Sequence, residues 1–131
     1  MVAGAGSVIA DTHYVIWLRT DPGRLTGGER RVLDEAETRY ISMVTLWEIA
    51  ILIGRGRIPG SVQWLEVPSG FELLPIRLQH CRALFDLPPL HGDPFDRMLV
   101  AQARSEQVPL LTRDRRMSAY EPFASIIHGI P

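Results

Sequence analysis

The chain has 131 residues, of which 46% are hydrophobic, and this is enough for one domain with its own core. Its formal net charge of −1 excludes attraction of nucleic acid by a strong whole-protein field, so phosphate binding would need a local patch or a metal ion. The single cysteine, Cys81, excludes an internal disulfide framework and is compatible with a reducing compartment.

The first six residues have neither the charge nor the apolar run of a signal peptide, and we expect residues 1–6 to be a flexible start. No later apolar run approaches the roughly 18 residues that are needed to span a bilayer. A cytoplasmic protein without membrane association is therefore expected.

The first half of the chain predicts a strand, two helices, a second strand and a third helix. Their expected positions are residues 7–11, a helix beginning over 14–18, then 27–38, 40–43 and 44–53. Asp11 or Thr12 is available to cap the first helix. Thr26 followed three residues later by Glu29 predicts a capping box at the start of the second helix.

The second half predicts further strands and helices in alternation. They are a loop or short helix over 61–67, a strand over 71–76, helices over 77–84 and 93–107, a strand over 108–112, a short helix over 114–120 and a strand over 125–128. This alternation predicts an α/β fold in which a short parallel sheet of four to five strands has helices on both faces. We expect a single domain over residues 1–131.

Two aspartates lie at or just beyond the ends of predicted strands. Asp11 follows the first strand, and Asp114 follows the strand that ends at Thr112. An aspartate after a strand often caps the next helix, and for either residue alone this is the favoured reading. Ligands of open parallel sheets, however, lie beyond the carboxyl ends of the strands. The topology can therefore bring both carboxylates to one edge, where they would form part of a site.

Glu48 lies in a helix that is apolar on nearly every face. The residues three and four positions away are Val44, Thr45, Ile51 and Leu52, so no arginine of its own helix can pair with it. A buried, uncompensated carboxylate is costly. It could reach solvent at the helix end or meet an arginine from elsewhere, but metal binding is the compensation that also accounts for the other acids.

Asp93 and Asp96 flank the start of a helix. Pro94 suits the first helical position, so Asp93 is expected to be the N-cap. Asp96 then falls at the third position, where a carboxylate can complete a cap or lie at the helix mouth beside a cation. The spacing alone leaves both roles open for Asp96.

Acids on separate segments with few basic partners would repel one another unless a cation joined them. The chain contains no lysine, which excludes a P-loop lysine and Schiff-base catalysis. All-oxygen ligands without a cysteine cluster favour Mg²⁺, with Mn²⁺ as a substitute, over zinc. Such an ion suits phosphodiester hydrolysis, because it can activate water and neutralise the scissile phosphate. We interpret Asp11, Glu48, Asp96 and Asp114 as the metal-binding and catalytic residues, with Asp93 as an additional candidate.

Several other residues are weaker candidates for substrate contact. Thr112 could orient Asp114 or a water, and three arginines near the acids could bind phosphate or simply lie on a solvated surface: Arg97, Arg113 and Arg115. The four histidines share no spacing and are expected to be structural or exposed. His13 and His91 each lie beside an acid in the sequence, so either could also contact the substrate.

The chain resembles the PIN-domain family and, within it, VapC-type toxins. The resemblance rests on DTH at residues 11–13, LWEIA at 46–50, DPFDRMLVAQA at 93–103 and TRD at 112–114, and matching stretches in the family's order cover nearly the whole chain. It implies a Mg²⁺-dependent endoribonuclease that cleaves structured RNA such as tRNA, with catalytic acids at Asp11, Glu48, Asp96 and Asp114. It also implies a small antitoxin that blocks the site, a homodimer and larger toxin–antitoxin assemblies. Some members have a further acid where Arg115 and Arg116 stand, which bears on whether a second ion is held.

Two other classes of protein are open to comparison. A catalytically silent module of the same fold would bind protein or RNA without cleavage, and the complete set of acids argues against it. A phosphoacceptor signalling domain also places acids at the ends of parallel strands. It needs paired acids after the first strand and a later lysine, and this chain has only Asp11 there and no lysine.

Overall fold

The computed structural model describes residues 6–130 as a five-stranded sheet with helices on both faces. The strands are β1 Ser7–Ala10, β2 Thr38–Ser42, β3 Phe71–Leu74, β4 Leu110–Thr112 and β5 Ile126–His128. The helices are α1 Thr12–Thr20, α2 Gly27–Glu35, α3 Met43–Gly54, α4 Leu78–Asp86 and α5 Pro94–Glu106. Short 3₁₀ helices cover Pro22–Arg24, Val62–Leu65 and Arg115–Tyr120.

All paired strands run parallel, in the order β3-β2-β1-β4-β5. The central strand is β1, which pairs with β2 through Ala10 and Ile41 and with β4 through Ala10 and Leu111. Its apolar run is buried because helices cover both of its faces, as expected for a parallel sheet. The α/β fold and its parallel sheet of five strands are thereby confirmed.

Alternate side chains of the central strands enter two separate cores. Ile9 and Leu110 pack with residues of α3, α4 and α5 on one face. Val8, Ala10 and Leu111 pack with residues of α1 and α2 on the other. This two-layer burial fixes the strand register, since a slip by one residue would exchange the two sets. Over residues 6–130, no helix has the length and apolar character needed to cross a membrane.

Several element ends lie one to three residues from their predicted positions, and two of them have a clear cause. Helix α2 ends at Glu35, not at residue 38, because Thr38 already pairs with Ser7 as the first residue of β2. The predicted strand over 108–112 begins only at Leu110, because the Val108 N–H still bonds to the Ala103 carbonyl oxygen at the end of α5. Of the predicted flexible start, only Gly6 lies within the described residues, and its carbonyl oxygen accepts a hydrogen bond from the Glu37 N–H.

A buried polar network joins α3, α4 and α5. Ser42 Oγ, which caps α3, donates to Gln102 Oε1 of α5 at 2.5 Å. The Gln102 amide nitrogen donates to the Pro75 carbonyl oxygen, and His80 of α4 bonds through Nε2 to Glu106 at 2.9 Å. Since buried polar groups are costly unless they are satisfied in one geometry, the Ser42–Gln102 hydrogen bond fixes α3 against α5, and the separate His80–Glu106 contact fixes α4 against α5.

A second buried polar cluster anchors the end of β4 to α2. The Glu29 carboxylate accepts hydrogen bonds from Tyr14, from the Thr26 N–H and from the Arg113 guanidinium, which contacts both carboxylate oxygens. The Arg113 guanidinium also lies 4.4 Å from the centroid of the Trp17 ring. Burial alone would raise the pKa of Glu29, but the hydrogen bonds from Arg113, Tyr14 and Thr26 outweigh it and lower the pKa to about 2.

The Glu29 cluster predicts a component of stability that is lost in acid. Because folding lowers the pKa of Glu29, its stabilisation of about 3 kcal/mol is present at neutral pH and disappears as the pH falls from about 4.5 to about 2. We expect E29Q to be less stable than the parent by about this amount at pH 7, with the difference shrinking towards pH 2. Urea unfolding at a series of pH values measures the difference.

The control is E35Q, at the exposed end of the same helix. It is expected to leave the free energy of unfolding nearly unchanged at every pH. A difference between E29Q and the parent that stays constant from pH 7 to pH 3 would contradict the assignment.

Candidate metal centre

Asp11 and Asp114 follow the neighbouring strands β1 and β4, and Thr112 connects them. The Thr112 hydroxyl donates to Asp11 Oδ2 at 2.6 Å and accepts from the Asp114 N–H at 3.1 Å. Thr112 is completely buried, so this geometry is shielded from water. The structure therefore brings both predicted carboxylates to the same carboxyl edge of the sheet.

Asp11 is both a helix cap and a member of the site. Its Oδ1 accepts a hydrogen bond from the His13 N–H at 3.0 Å and so caps α1. Its carboxylate also acts on the pKa values of Glu48 and Asp96, which lie on other helices. The two readings of Asp11 are thus compatible: the cap fixes the orientation in which the carboxylate meets the other acids.

Glu48 projects from α3 into the same region. Within residues 6–130, its Oε1 is one of two buried side-chain polar atoms that lack a hydrogen-bond partner, and the other is Arg97 Nε. Burial raises the pKa of Glu48 above its ordinary value, against a hydrogen bond from Thr12 that lowers it, while the charges of Asp93 and Asp11 raise it further. A buried acceptor without a partner needs an explanation, and a cation supplies one.

Asp93 and Asp96 lie at the start of α5. Asp93 is the N-cap, as predicted, and its Oδ1 accepts from the N–H groups of Phe95 and Asp96. The pKa of Asp96 is raised to about 7, first by burial and then by the charges of its acidic neighbours: Asp93, Asp11, Glu48 and Asp114. All the predicted acids therefore lie within electrostatic reach of Asp96, although they come from distant parts of the chain.

Asp114 has an arginine partner in Arg116. The Arg116 side chain donates to both of its oxygens, at 3.1 and 2.9 Å, and the Arg116 N–H bonds to Oδ1. The Arg116 side-chain hydrogen bonds lower the pKa of Asp114 to about 2. Since the Arg116 side chain is 73% exposed, this partner can move away when Asp114 meets another cation.

His91 joins this cluster; the sequence left its role open between a structural residue and a substrate contact beside an acid. Its Nε2 lies 3.3 Å from Asp114 Oδ2 and 3.4 Å from Asp96 Oδ2, while its ring is almost completely buried. The sequence contained a signal in the His91-Gly92-Asp93-Pro94 string, since a histidine two residues before an N-cap can reach across the helix mouth. Nothing in the spacing shows which way its ring turns.

The residues suggested for substrate contact differ in their exposure and in their partners. Thr112 is completely buried and bonds to Asp11 and Asp114, and the Arg113 guanidinium is bound to Glu29. Arg97 donates from Nη2 to the Leu87 carbonyl oxygen at 3.3 Å and is only partly exposed. Arg115 is exposed at the start of the 3₁₀ helix Arg115–Tyr120 and remains a candidate.

The donor set fits a hard divalent cation. The converging groups are carboxylate oxygens, one of them buried without a partner, and two of the acids have raised pKa values. Mg²⁺ and Mn²⁺ prefer such ligands. Within residues 6–130, ligand atoms of His91, Asp96 and Asp114 lie within 4.8 Å of one another, and Asp11 and Glu48 add carboxylates that act electrostatically on Asp96. Asp11, Glu48, Asp96 and Asp114 are therefore the carboxylates that could hold the ion, with Arg116 on the outer side of Asp114.

Comparison with known proteins identifies the family and supports the fold. The sequence model of the PIN domain matches residues 8–121, and the chain therefore belongs to the PIN domain family. The chain is 25% identical over 119 residues to Ribonuclease VapC22 of Mycobacterium tuberculosis, a match that covers 87% of this chain and 92% of that protein. These findings confirm the family resemblance.

The fold also matches a solved structure, that of VapBC2 from Rickettsia felis bound to a DNA fragment from their promoter. The TM-score is 0.73 at 15% sequence identity, and the match covers 93% of this chain and 98% of the other. At this identity, the match confirms the fold.

The raised pKa of Asp96 predicts that the metal-free protein loses stability as the pH increases. The folded state holds the proton of Asp96 up to about pH 7, whereas an unfolded aspartate releases it near pH 4, so stability falls over this interval by up to about 4 kcal/mol. We expect D96N to lack this fall and to be more stable than the parent at pH 8 in a chelator. Saturating Mg²⁺ should stabilise the parent and not D96N.

Thermal unfolding with EDTA and with Mg²⁺ measures both effects. The control D86N changes an exposed aspartate at the end of α4 and should follow the parent throughout. If the parent and D96N show the same pH dependence in EDTA, the carboxylates do not repel one another as described.

Proposed function

We propose that the protein is a Mg²⁺-dependent endoribonuclease that acts as the toxin of a toxin–antitoxin pair, with Mn²⁺ as a substitute. The observation that carries this proposal is the buried, unpartnered Oε1 of Glu48 among acids from distant segments. The similarity to a protein named Ribonuclease VapC22 supports RNA as the substrate. Structured RNA such as tRNA is the proposed target.

Each acidic residue of the cleft would have its own role. Asp11, Glu48 and Asp96 would hold the ion, Asp114 would complete the acidic edge, and Asp93 would mainly cap α5. When bound, the ion would supply activation of water and neutralisation of the scissile phosphate. Thr112 and the His13 N–H orient Asp11 through both of its oxygens, so that its position does not depend on the ion.

The acidic cleft also explains why an ion is required for a phosphate substrate. Without a cation, the carboxylates of the cleft would repel the RNA backbone, and the net charge of the chain offers no compensating field. Arg115 and Arg116 lie beside Asp114 on the surface and could contact phosphates on that side. Phosphate binding would thus combine the ion with this arginine pair.

Protein partners are part of the proposal. The fold match is to a structure of VapBC2 bound to promoter DNA, and this supports a small antitoxin partner that blocks the acidic cleft. Beside Glu48, Trp47 is 57% exposed and lines an apolar groove of about 390 Å³ together with Phe95 and Met98. An exposed apolar groove of this kind is typical of a protein interface, which supports an antitoxin or the proposed homodimer as its occupant.

Loss of a cleft carboxylate is expected to abolish cleavage. Loss of an outer-shell partner of a metal site typically costs about 10–100-fold, and loss of a ligand should cost more. We therefore expect the cleavage rates of D11A and E48Q to fall by at least about 100-fold. Cleavage of tRNA and of an unstructured oligonucleotide is measured with Mg²⁺, with Mn²⁺ and with EDTA. Growth after expression of each variant provides a second measurement.

The matched control is E72Q, at an exposed position on β3. It should cleave RNA and arrest growth like the parent. Variants D11A and E48Q that cleave like the parent would show that the site is wrong. A parent that binds Mg²⁺ but cleaves no RNA would instead favour the catalytically silent module.

A further inference from the structure

His91 is the only histidine, among residues 6–130, whose ring lies within 4 Å of two carboxylates of the cleft. Its Nε2 points between Asp96 at the start of α5 and Asp114 after β4. These two acids belong to different elements, and no backbone hydrogen bond between them is found in the described part of the chain. The imidazole is therefore a direct bridge between them.

The other ring nitrogen of His91 fixes its tautomer. Its Nδ1 lies 3.0 Å from the Asp93 backbone nitrogen, which can only donate, so Nδ1 must be the acceptor. In a neutral imidazole the hydrogen then resides on Nε2. His91 consequently presents a donor to Asp114, beside Asp96, and not the lone pair that a metal ligand needs.

The loop that carries His91 is anchored from behind by Tyr120. The Tyr120 hydroxyl accepts hydrogen bonds from the N–H groups of Leu90 and His91 and donates to the Pro88 carbonyl oxygen. Tyr120 is itself completely buried. The position of the imidazole is therefore set by the fold before any ion binds.

The second partner of Asp114 is held much less firmly. The Arg116 side chain is 73% exposed, whereas that of His91 is 2% exposed. An exposed ion pair contributes little because water and side-chain entropy compete with it. A buried donor avoids both losses, so His91 can hold Asp114 close to Asp96 when Arg116 has moved away.

We propose that His91 is a positioning residue that donates from Nε2 to Asp114, with the Asp96 carboxylate 3.4 Å away, and so holds these two carboxylates in the arrangement that shares one divalent cation. The proposal rests on the proposed function. Outer-shell donors of this kind orient the ligands of metal sites, and their loss weakens metal binding without removing a ligand.

The chain offers a matched control in His80. Its Nδ1 also accepts a backbone N–H, that of Arg77, and its Nε2 also bonds to a carboxylate, that of Glu106. It is equally buried, but it lies on α4 and outside the cleft. Removal of either ring should destabilise the fold in a similar way, and only removal of the His91 ring should alter metal binding.

The test is calorimetric titration of Mn²⁺ into the folded, metal-free protein and its variants. We expect H91L to bind Mn²⁺ about 10-fold or more weakly than the parent, and H80L to bind it like the parent. H91Q should recover most of the affinity, because its side-chain amide can donate from near the position of Nε2. The Mg²⁺ concentration for half-maximal RNA cleavage should rise in H91L, while the rate at saturating Mg²⁺ changes less.

Pulsed electron paramagnetic resonance of the bound Mn²⁺ separates positioning from direct ligation. We expect no directly coordinated nitrogen in the parent, and a coordinated nitrogen that disappears in H91L would overturn the proposal. Equal affinities of H91L and the parent, or equal losses in H91L and H80L, would overturn it as well. A parent that binds no Mn²⁺ would refute the proposed function itself, which distinguishes the two failures.

Discussion

The mutual repulsion of buried carboxylates is the constraint that the rest of the structure must overcome. Glu48 and Asp96 are partly removed from water and lie near other acids, and both effects raise their pKa values. Such an arrangement costs free energy in the absence of a cation, and it persists only because the surrounding elements are held by other interactions. The site is pre-formed at the expense of stability.

Three sets of contacts resist this repulsion, and each fixes one part of the cleft. The pairing of β1 with β2 and β4 fixes the end of the central strand, where Asp11 lies. The Ser42–Gln102 hydrogen bond holds α3 against α5, which carry Glu48 and Asp96. The Glu29–Arg113 pair secures the chain between Thr112 and Asp114. Polar networks remote from the cleft thus have a function: they keep like charges together.

Much of the fold and of the acidic cleft could be predicted from the sequence because the governing interactions are local. The capping box at Thr26 and the proline after Asp93 mark helix starts within a few residues. Asp11 and Asp114 could be paired because parallel strands end at one edge. Glu48 could be predicted as a site residue because a lone carboxylate in an apolar helix needs a compensating partner.

The parts that could not be predicted depend on the direction of a side chain across a long sequence separation. Arg113 stands beside Asp114 in the chain, yet its guanidinium turns to Glu29, on the other side of the sheet from α5. Consecutive residues at a strand end point in opposite directions, so proximity in sequence was misleading. His91 is the converse case, because its neighbours in the cleft are brought to it by the packing of α5 and the Tyr120 anchor.

The contrast between Asp96 and Asp114 bears on how many cations the cleft can hold. The pKa of Asp96 is raised to about 7, while Arg116 lowers that of Asp114 to about 2. The charge of Asp114 is thus compensated on its outer side, whereas the acidic neighbours of Asp96 add to the effect of burial on its pKa. The Arg116 guanidinium donates to both Asp114 oxygens, so a second cation on that side would have to displace this exposed side chain. Burial and acidic neighbours act together at Asp96, on the inner side of the cleft, whereas Asp114 has an arginine partner on the outer side.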